Sequence, residues 1–342
     1  MTPPPSAPHA MPAAAPTDIV IDCDPGIDDA IAILLAAACP QQVRISALTA
    51  THGNVGLALT ARNACRLRSL AGLPEVPVHA GCPRPLTAPV HDAAHIHGGN
   101  GLGGVELADG DDGHAEGRGG RADGRGGLAE AHGVDALIAE AQRGRTLVAV
   151  GPLTNVAVTL IKRPETAARW RRLVIMGGGV EKGNVTPQAE FNVFTDPEAA
   201  RTVLTTTEWP AAARPVLFPL DATHQALLSP DWIADLAATG GKVCRIAAAM
   251  LGGYDTPSTA AQGGKAVHDA MAVAWTIRPE LFETRAARID VVTDSGAARG
   301  RTVADFASTE PTADIVTGVD APAFIQWLKE RLASLDAALS GG

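Results

Sequence analysis

A surplus of positive charge is missing from this chain. Its 342 residues carry 28 Lys and Arg against 37 Asp and Glu, a formal net charge of −9. Binding a phosphate backbone calls for a basic face, so nucleic acid is excluded as the main partner. A small ligand without phosphate, or a site built from carboxylates, is not excluded. Short cysteine spacings are missing too. Cys23, Cys39, Cys65, Cys82 and Cys244 form no C-x-x-C pair, which removes zinc-ribbon and dithiol redox motifs. An odd set of scattered thiols predicts reduced, mostly buried cysteines in a cytoplasmic protein. No membrane partner is expected, because the longest apolar run, near Ala30 to Cys39, is too short to cross a bilayer. Residues 1–16, MTPPPSAPHAMPAAAP, have neither a basic start nor an apolar stretch. They predict a disordered Pro/Ala leader, not a signal peptide. Aromatic side chains are few, with one Tyr, five Trp and six Phe, which argues against a clamp of stacked rings around a ligand.

What is present is an α/β rhythm. Hydrophobic residues make up 46% of the chain, enough for a sizeable core. Ile19-Val20-Ile21 runs into Asp22 to Gly26, and Asp28 to Cys39 then reads as a helix. Val43 to Ala50 reads as a second strand, followed by Thr51-His52-Gly53-Asn54 and a helix over Leu57 to Leu70. Thr146 to Val150, Leu173 to Met176 and Val216 to Leu220 are further strands, each ending in Gly or Asp. Buried strands alternating with helices predict one large α/β domain, residues 17–342, with a mostly parallel sheet flanked by helices on both faces. In such a Rossmann-like sheet the ligand crevice lies at the carboxyl ends of the strands, where every polar cluster just named falls. Residues 98–127, dominated by Gly, Asp and Arg, break the rhythm and read as a flexible loop insertion within that domain. Ala321 to Leu335 reads as an amphipathic helix with Phe324, Leu328 and Leu332 on one stripe.

Asp22-Cys23-Asp24-Pro25-Gly26-Ile27-Asp28-Asp29 places four carboxylates within eight residues, directly after an apolar strand. Such crowding costs free energy unless positive charge is shared, and a hard divalent cation is the natural partner of carboxylate oxygens. Pro25-Gly26 makes the turn. Asp28 and Asp29 fall in the first helical turn, where the helix dipole favours negative charge; helix capping alone would also account for one of them. Asp22-x-Asp24 after a strand has a second resemblance, to the opening of haloacid-dehalogenase-type phosphatases. That family places Thr or Val soon after, whereas Pro25-Gly26 follows here.

The whole stretch from Asp22 to Ala30 resembles the N-terminal signature of the inosine-uridine-preferring nucleoside hydrolases. Further motifs follow in order: Thr51-His52-Gly53-Asn54-Val55, Gly151-Pro152-Leu153-Thr154-Asn155, Met176-Gly177-Gly178-Gly179, Ala189-Glu190-Phe191-Asn192, Asp196-Pro197-Glu198-Ala199, Pro219 to His224 and Val267-His268-Asp269. Together they span about residues 17 to 335. The resemblance implies a nucleoside hydrolase fold and calcium-dependent cleavage of the N-glycosidic bond of ribonucleosides, in nucleoside salvage. It also implies a small-molecule nucleoside substrate and a homodimer or homotetramer. It implies Ca²⁺ held by Asp24, Asp29, Asp269 and the main-chain carbonyl of Val150, with Asp24 taking a proton from water. Asp28, Asn54 and Asn192 are assigned to the 2′/3′ side of the ribose, Asn184 and Glu190 to the 5′-hydroxyl, and Met176 to packing near the sugar. Taken singly, Asn54 and Asn184 also fit ordinary turn residues. A catalytically silent nucleoside- or ribose-binding protein on the same fold is the alternative from another functional class.

The departing base needs a proton or a hydrogen bond. His268 precedes Asp269, and an ordinary imidazole pKa of about 6.5 suits a general acid. His97 is expected either to touch the base or to be a plain loop residue. Tyr254, the only tyrosine, is expected to contact the base. Gly99-Asn100-Gly101-Leu102-Gly103-Gly104 matches G-x-G-x-x-G but follows no strand, so dinucleotide binding is discounted. Asp196-Pro197 reads as a helix N-cap with Pro at the first helical position.

Overall fold

A computed structural model describes residues 15–108, 127–239, 241–254 and 263–341. The leader expected over 1–16 lies, up to residue 14, outside the described residues, and so do residues 109–126 of the expected 98–127 loop. The strands are β1 (Thr17–Cys23), β2 (Val43–Ala50), β3 (Val78–Ala80), β4 (Thr146–Ala149), β5 (Arg172–Met176), β6 (Val216–Phe218), β7 (Leu227–Leu228), β8 (Lys265–Ala266), β9 (Phe282–Val291), β10 (Thr302–Asp305) and β11 (Ala313–Val319). Nine of them form one sheet in the order β10-β9-β11-β6-β5-β4-β1-β2-β3, and β7 and β8 form a separate pair. From β3 across to β11 every neighbouring pair is parallel. At the far edge of this sheet β9 alone is reversed, pairing antiparallel with both β11 and β10. The order 3-2-1-4-5-6 is that of a doubly wound sheet, and its switch point opens a crevice between β1 and β4.

Side chains alternate between two apolar layers, as a strand period of two demands. Ile19, Ile21, Val148, Val174 and Met176 enter one layer. Val20, Leu147, Ala149, Leu173 and Ile175 enter the other. The first layer is filled by helix α1 (Ile27–Ala37), which is buried from Ile27 to Ala36. After Asp29 this helix has no polar residue, the composition of a helix surrounded by protein. Among the other helices, α2 (Leu57–Leu70), α3 (Ala94–His97), α4 (Gly133–Gln142), α5 (Thr154–Lys162), α6 (Phe191–Thr195), α7 (Pro197–Thr205), α8 (Leu220–Thr223), α9 (Pro230–Ala238), α10 (Lys242–Gly252), α11 (His268–Ile277) and α12 (Ala321–Ser340) follow in order. Helix α11 packs along α1, bringing Asp269 beside the acidic turn although 240 residues separate them in sequence. On α12 the expected stripe Phe324, Leu328 and Leu332 is fully buried.

The described start of the Gly-rich stretch is tied down. Leu102 is fully buried, and Asn63 donates to the Asn100 carbonyl at 2.9 Å and to the Pro25 carbonyl at 3.1 Å. The glycines here follow the one-turn helix α3, not a strand.

One long-range cap holds the helix that leads to Tyr254. Gly241, at the start of α10, has no side chain to offer. Asp336 of α12 accepts instead from Val243 N at 3.1 Å and Cys244 N at 3.0 Å. Removing such a cap costs about 0.5–2 kcal/mol. Asp336→Ala is expected to lower the thermal midpoint by a few degrees while leaving KM and kcat within about twofold. Thermal unfolding followed by circular dichroism, with steady-state kinetics on the same sample, checks this; an unchanged midpoint would show the cap to be idle.

Candidate active site

The strand ends converge on one cavity of about 420 Å³ at the β1/β4 switch point. Its walls include Asp28, Asn54, His97, Val150, Met176, Asn184, Glu190, Asn192, Tyr254, His268 and Asp269. Ten of the eleven are thus brought together from eight separate segments of chain into a single concave space, with Asn184 standing exposed at its rim.

The acidic turn is built by α1 itself. Asp29, the third residue of the helix, reaches back to accept from Gly26 N at 2.9 Å and from Asp24 N at 3.1 Å. It therefore caps the helix, as the capping expectation allowed, and also fixes the Asp24 backbone. Ligand-capable oxygens of Asp28, Asp29 and Asp269 lie within 4.8 Å of one another. Asp28, assigned above to the ribose, is thus part of the tight triplet, and Asp24 is not one of the three. Asp24 Oδ2 accepts from Asn54 N at 2.7 Å, while its Oδ1 is buried with no hydrogen-bond partner. Two glycines leave it that space. A Cβ at Gly53 would overlap the Asp24 carboxylate, and one at Gly151 would come within 2.5 Å of Oδ1.

Burial and mutual repulsion push these acids up. Asp24 and Asp269 are raised well above the usual carboxylate range, first by burial and then by their acidic neighbours. Asp28 rises to about 8 and Asp29 to about 6, both mainly by burial. Asp22, behind the turn, rises to about 7 by burial although Asn155 and Thr49 both donate to it. A buried carboxylate cluster with an orphaned oxygen fits a divalent cation, whose charge would remove both the repulsion and the unmet lone pair.

The amide side chains do more holding than the sequence suggests. Asn54 Nδ2 donates to the Asp24 carbonyl and to Asp29 Oδ2, each at 3.1 Å, leaving its Oδ1 for other partners. Asn192 Nδ2 donates to the Val150 carbonyl at 2.8 Å and the Met176 carbonyl at 3.2 Å, tying the ends of β4 and β5. The Val150 carbonyl keeps a second lone pair for a cation. Glu190 caps α6, accepting from Asn192 N at 2.8 Å, Val193 N at 3.1 Å and Gly178 N at 2.8 Å.

Three ring residues have ties that the sequence does not show. His268 does not keep an ordinary pKa: burial and the neighbouring imidazoles of His224 and His97 push it down to about 3. It is neutral at pH 7 and can act only as a neutral donor or acceptor until substrate changes its surroundings. Its Nδ1 lies 2.7 Å from Thr223 Oγ1; when that hydroxyl donates, the imidazole proton sits on Nε2. His97 Nδ1 accepts from Ile27 N at 3.1 Å, so this ring closes the end of α1 as well as lining the cavity. Tyr254 packs on the His97 ring at 5.3 Å, and burial, then the nearby carboxyls with Asp28 first, push its phenol well up. Its polar end therefore faces the acidic cluster.

His91, Ile96 and Phe194 also line the cavity and went unnoticed in the sequence. The clustering of three histidines at His91, His95 and His97 was the available signal.

The family model for inosine-uridine preferring nucleoside hydrolases matches residues 19–326. A non-specific ribonucleoside hydrolase, RihC, from Salmonella enteritidis is 36% identical over 318 residues, covering 92% of this chain and 97% of its own length. Among solved structures, a purine-preferring ribonucleoside hydrolase from Gardnerella vaginalis superposes with a TM-score of 0.83 at 29% identity, covering 94% of this chain and all of the other. A plant nucleoside hydrolase, the PpNRh1 enzyme, superposes with a TM-score of 0.79 at 28% identity, covering 93% of this chain and 99% of the other.

Proposed function

The chain belongs to the inosine-uridine preferring nucleoside hydrolase family, and from that premise we propose that it is a Ca²⁺-dependent enzyme that hydrolyses the N-glycosidic bond of inosine- and uridine-type ribonucleosides to free base and ribose. The observation that carries this is the Asp28–Asp29–Asp269 triplet beside the unpartnered Asp24 oxygen, at the floor of a cavity large enough for a nucleoside. Asp24, Asp29, Asp269 and the Val150 carbonyl would hold the ion. When bound, it supplies the positive field that lowers the pKa of a water and draws sugar hydroxyls into place.

The chain's own groups do the rest. Asp24 Oδ1 takes the proton of the attacking water. Asp28 and the free carbonyl ends of Asn54 and Asn192 receive the 2′- and 3′-hydroxyls. Asn184 and Glu190 stand toward the 5′-hydroxyl, and Met176 packs near the sugar. Holding the ribose this way favours the oxocarbenium-like state through which the bond breaks. His268 gives a hydrogen bond to the departing base, with Tyr254 and His97 beside it. Residues 17–342 form the catalytic domain in this account, with 1–16 a leader and 98–127 a loop insertion. All five cysteines are free and four are buried, which supports a reducing compartment and a cytoplasmic role in nucleoside salvage. No helix among the described residues is long and apolar enough to cross a membrane. Assembly as a homodimer or homotetramer belongs to the same proposal and is checked by light scattering.

The test is release of free ribose from inosine and uridine, with and without chelator. Ribose released only in the presence of the metal supports the proposal; nucleoside retained by the protein with no ribose formed would favour a silent binding protein instead. His268→Ala is expected to lower kcat for inosine by about 10²-fold and to leave nitrophenyl riboside, whose leaving group needs no proton, within a few-fold. Equal losses on both substrates would remove the donor role.

A further inference from the structure

Residues 86–93 form a strap whose last part, His91 to Ala93, lines the cavity, and its two ends are tied to the buried Asp196 and to the turn that carries His52 and Asn54. At one end, Leu86 N donates to Asp196 Oδ2 at 2.8 Å. That same oxygen accepts the Thr154 hydroxyl at 2.6 Å. Thr154 Oγ1 lies 3.0 Å from His52 Nε2. Because the threonine proton is committed to Asp196, the imidazole N–H is the donor in this contact. At the other end, Ala93 N donates at 3.0 Å to the carbonyl of Asn54, two residues beyond His52 on the same turn. Between the ends, no backbone hydrogen bond joins 87–92 to the other described residues. The contact there is made by His91, whose ring sits 5.1 Å from that of Phe194. Phe194 is two residues before Asp196, so this contact closes the ring. Beside Thr154, Asn155 Oδ1 accepts from Cys82 N at 2.7 Å, a second tie from the start of α5 to the same stretch.

Asp196, Thr154 and His52 are at most 1% exposed. The polar chain ends at His52, whose Nδ1 is buried without a hydrogen-bond partner; from Leu86 through Asp196 to Thr154 every link is made, and at that depth breaking one leaves its partner unmet. Asp196 also caps α7 through Ala199 N at 3.1 Å. A helix cap alone would need neither Thr154 nor Leu86, so the extra bonds have another use.

We infer that Asp196 and Thr154 are positioning residues for the hydrolase reaction: they anchor the 86–93 strap so that His91, lodged on Phe194, closes one side of the cavity around a bound nucleoside. This rests on the nucleoside-hydrolase proposal for the cavity. The bonds from Leu86 through Asp196 and Thr154 to His52 include none to the acidic cluster, so these groups act on how tightly the substrate is held.

Thr154→Val removes the hydroxyl at nearly constant volume, and Thr154→Ser keeps it. With uridine, Thr154→Val is expected to raise KM about tenfold with kcat within about threefold, and Thr154→Ser to stay near the unmodified enzyme. His91→Ala, at an exposed position, is expected to raise KM by a similar factor, and adding Thr154→Val to it should change little more, since both act through one strap. Amide hydrogen exchange over residues 84–93 should be faster in Thr154→Val than in Thr154→Ser. An unchanged KM in Thr154→Val, no rescue by Ser, effects that simply multiply in the double variant, or equal exchange in the two variants would each overturn the inference. Should Thr154→Val not fold, His91→Ala decides alone, and an unchanged KM overturns it. The unmodified enzyme is assayed alongside. If it releases no ribose, the hydrolase proposal fails, while the exchange data still judge the anchoring.

Discussion

Asp24→Asn is expected to lower kcat for uridine and inosine by about 10³-fold while the protein stays folded. The physical reason lies in how the two oxygens of Asp24 are used. Oδ2 is occupied by Asn54 N at 2.7 Å, and an asparagine carbonyl can keep that bond. Oδ1 is buried and has no partner, and it is this oxygen that an amide NH₂ would replace. The variant therefore loses the proton acceptor without losing the contact that shapes the turn. Its metal-free stability should equal or exceed that of the unmodified protein, because a buried acid crowded by Asp28 and Asp29 is relieved of its charge. Steady-state kinetics and a thermal scan in chelator on one preparation decide the matter. Near-normal kcat would remove Asp24 from the chemistry; a collapse of the thermal midpoint would make it a structural residue.

The second large effect is on stability. With chelator present, the protein is expected to lose stability as pH rises from 7 to 9, and Ca²⁺ should abolish that loss. The buried acids are raised in the fold, Asp22 to about 7 and Asp28 to about 8, against about 3.9 in the unfolded chain. Between those limits the native state binds more protons than the unfolded one. Stability then falls with rising pH until the folded pKa values are passed. Histidines pull the other way at lower pH. Burial depresses His52, His97 and His224 to about 4 and His268 to about 3. Their contribution is present above the unfolded value of about 6.5 and is lost as pH falls toward 4. The two sets oppose one another below about pH 6.5, so the acidic cluster is read cleanly only above pH 7. Ca²⁺ takes the ionised carboxylates and grows in effect with pH. At pH 8, saturating Ca²⁺ should raise the midpoint by about 5 °C. Parallel curves with and without Ca²⁺ from pH 7 to 9 would sink this account of the cluster.

The cluster and the strap differ in how much of them a linear reading can reach. Asp24, Asp28 and Asp29 sit within six residues, right after an apolar strand, so local spacing alone places them at a strand end and on the first turn of a helix. Asp269 belongs with them only because α11 packs against α1, yet the Val267-His268-Asp269 motif marked it. By contrast, nothing local to Thr154 or His52 says that the first faces Asp196 and the second faces Thr154, partners 42 and 102 positions away. The antiparallel edge β9–β10 and the cap from Asp336 were equally invisible, for the same reason. How far the His268 imidazole is pushed below its ordinary value was equally illegible, because burial is a property of the packed neighbours and not of the residue.

By itself, then, the order of residues determined the alternation of strand and helix, the crevice at the strand ends and the family, because these follow from short-range periodicity and from turn chemistry confined to a few adjacent residues. Only the tertiary structure decided which oxygens are spent on holding the backbone and which are left bare, how far each acid and imidazole is shifted, and which buried chain anchors the cavity wall. Those quantities are set by distances and desolvation between groups that the chain brings together only when it folds.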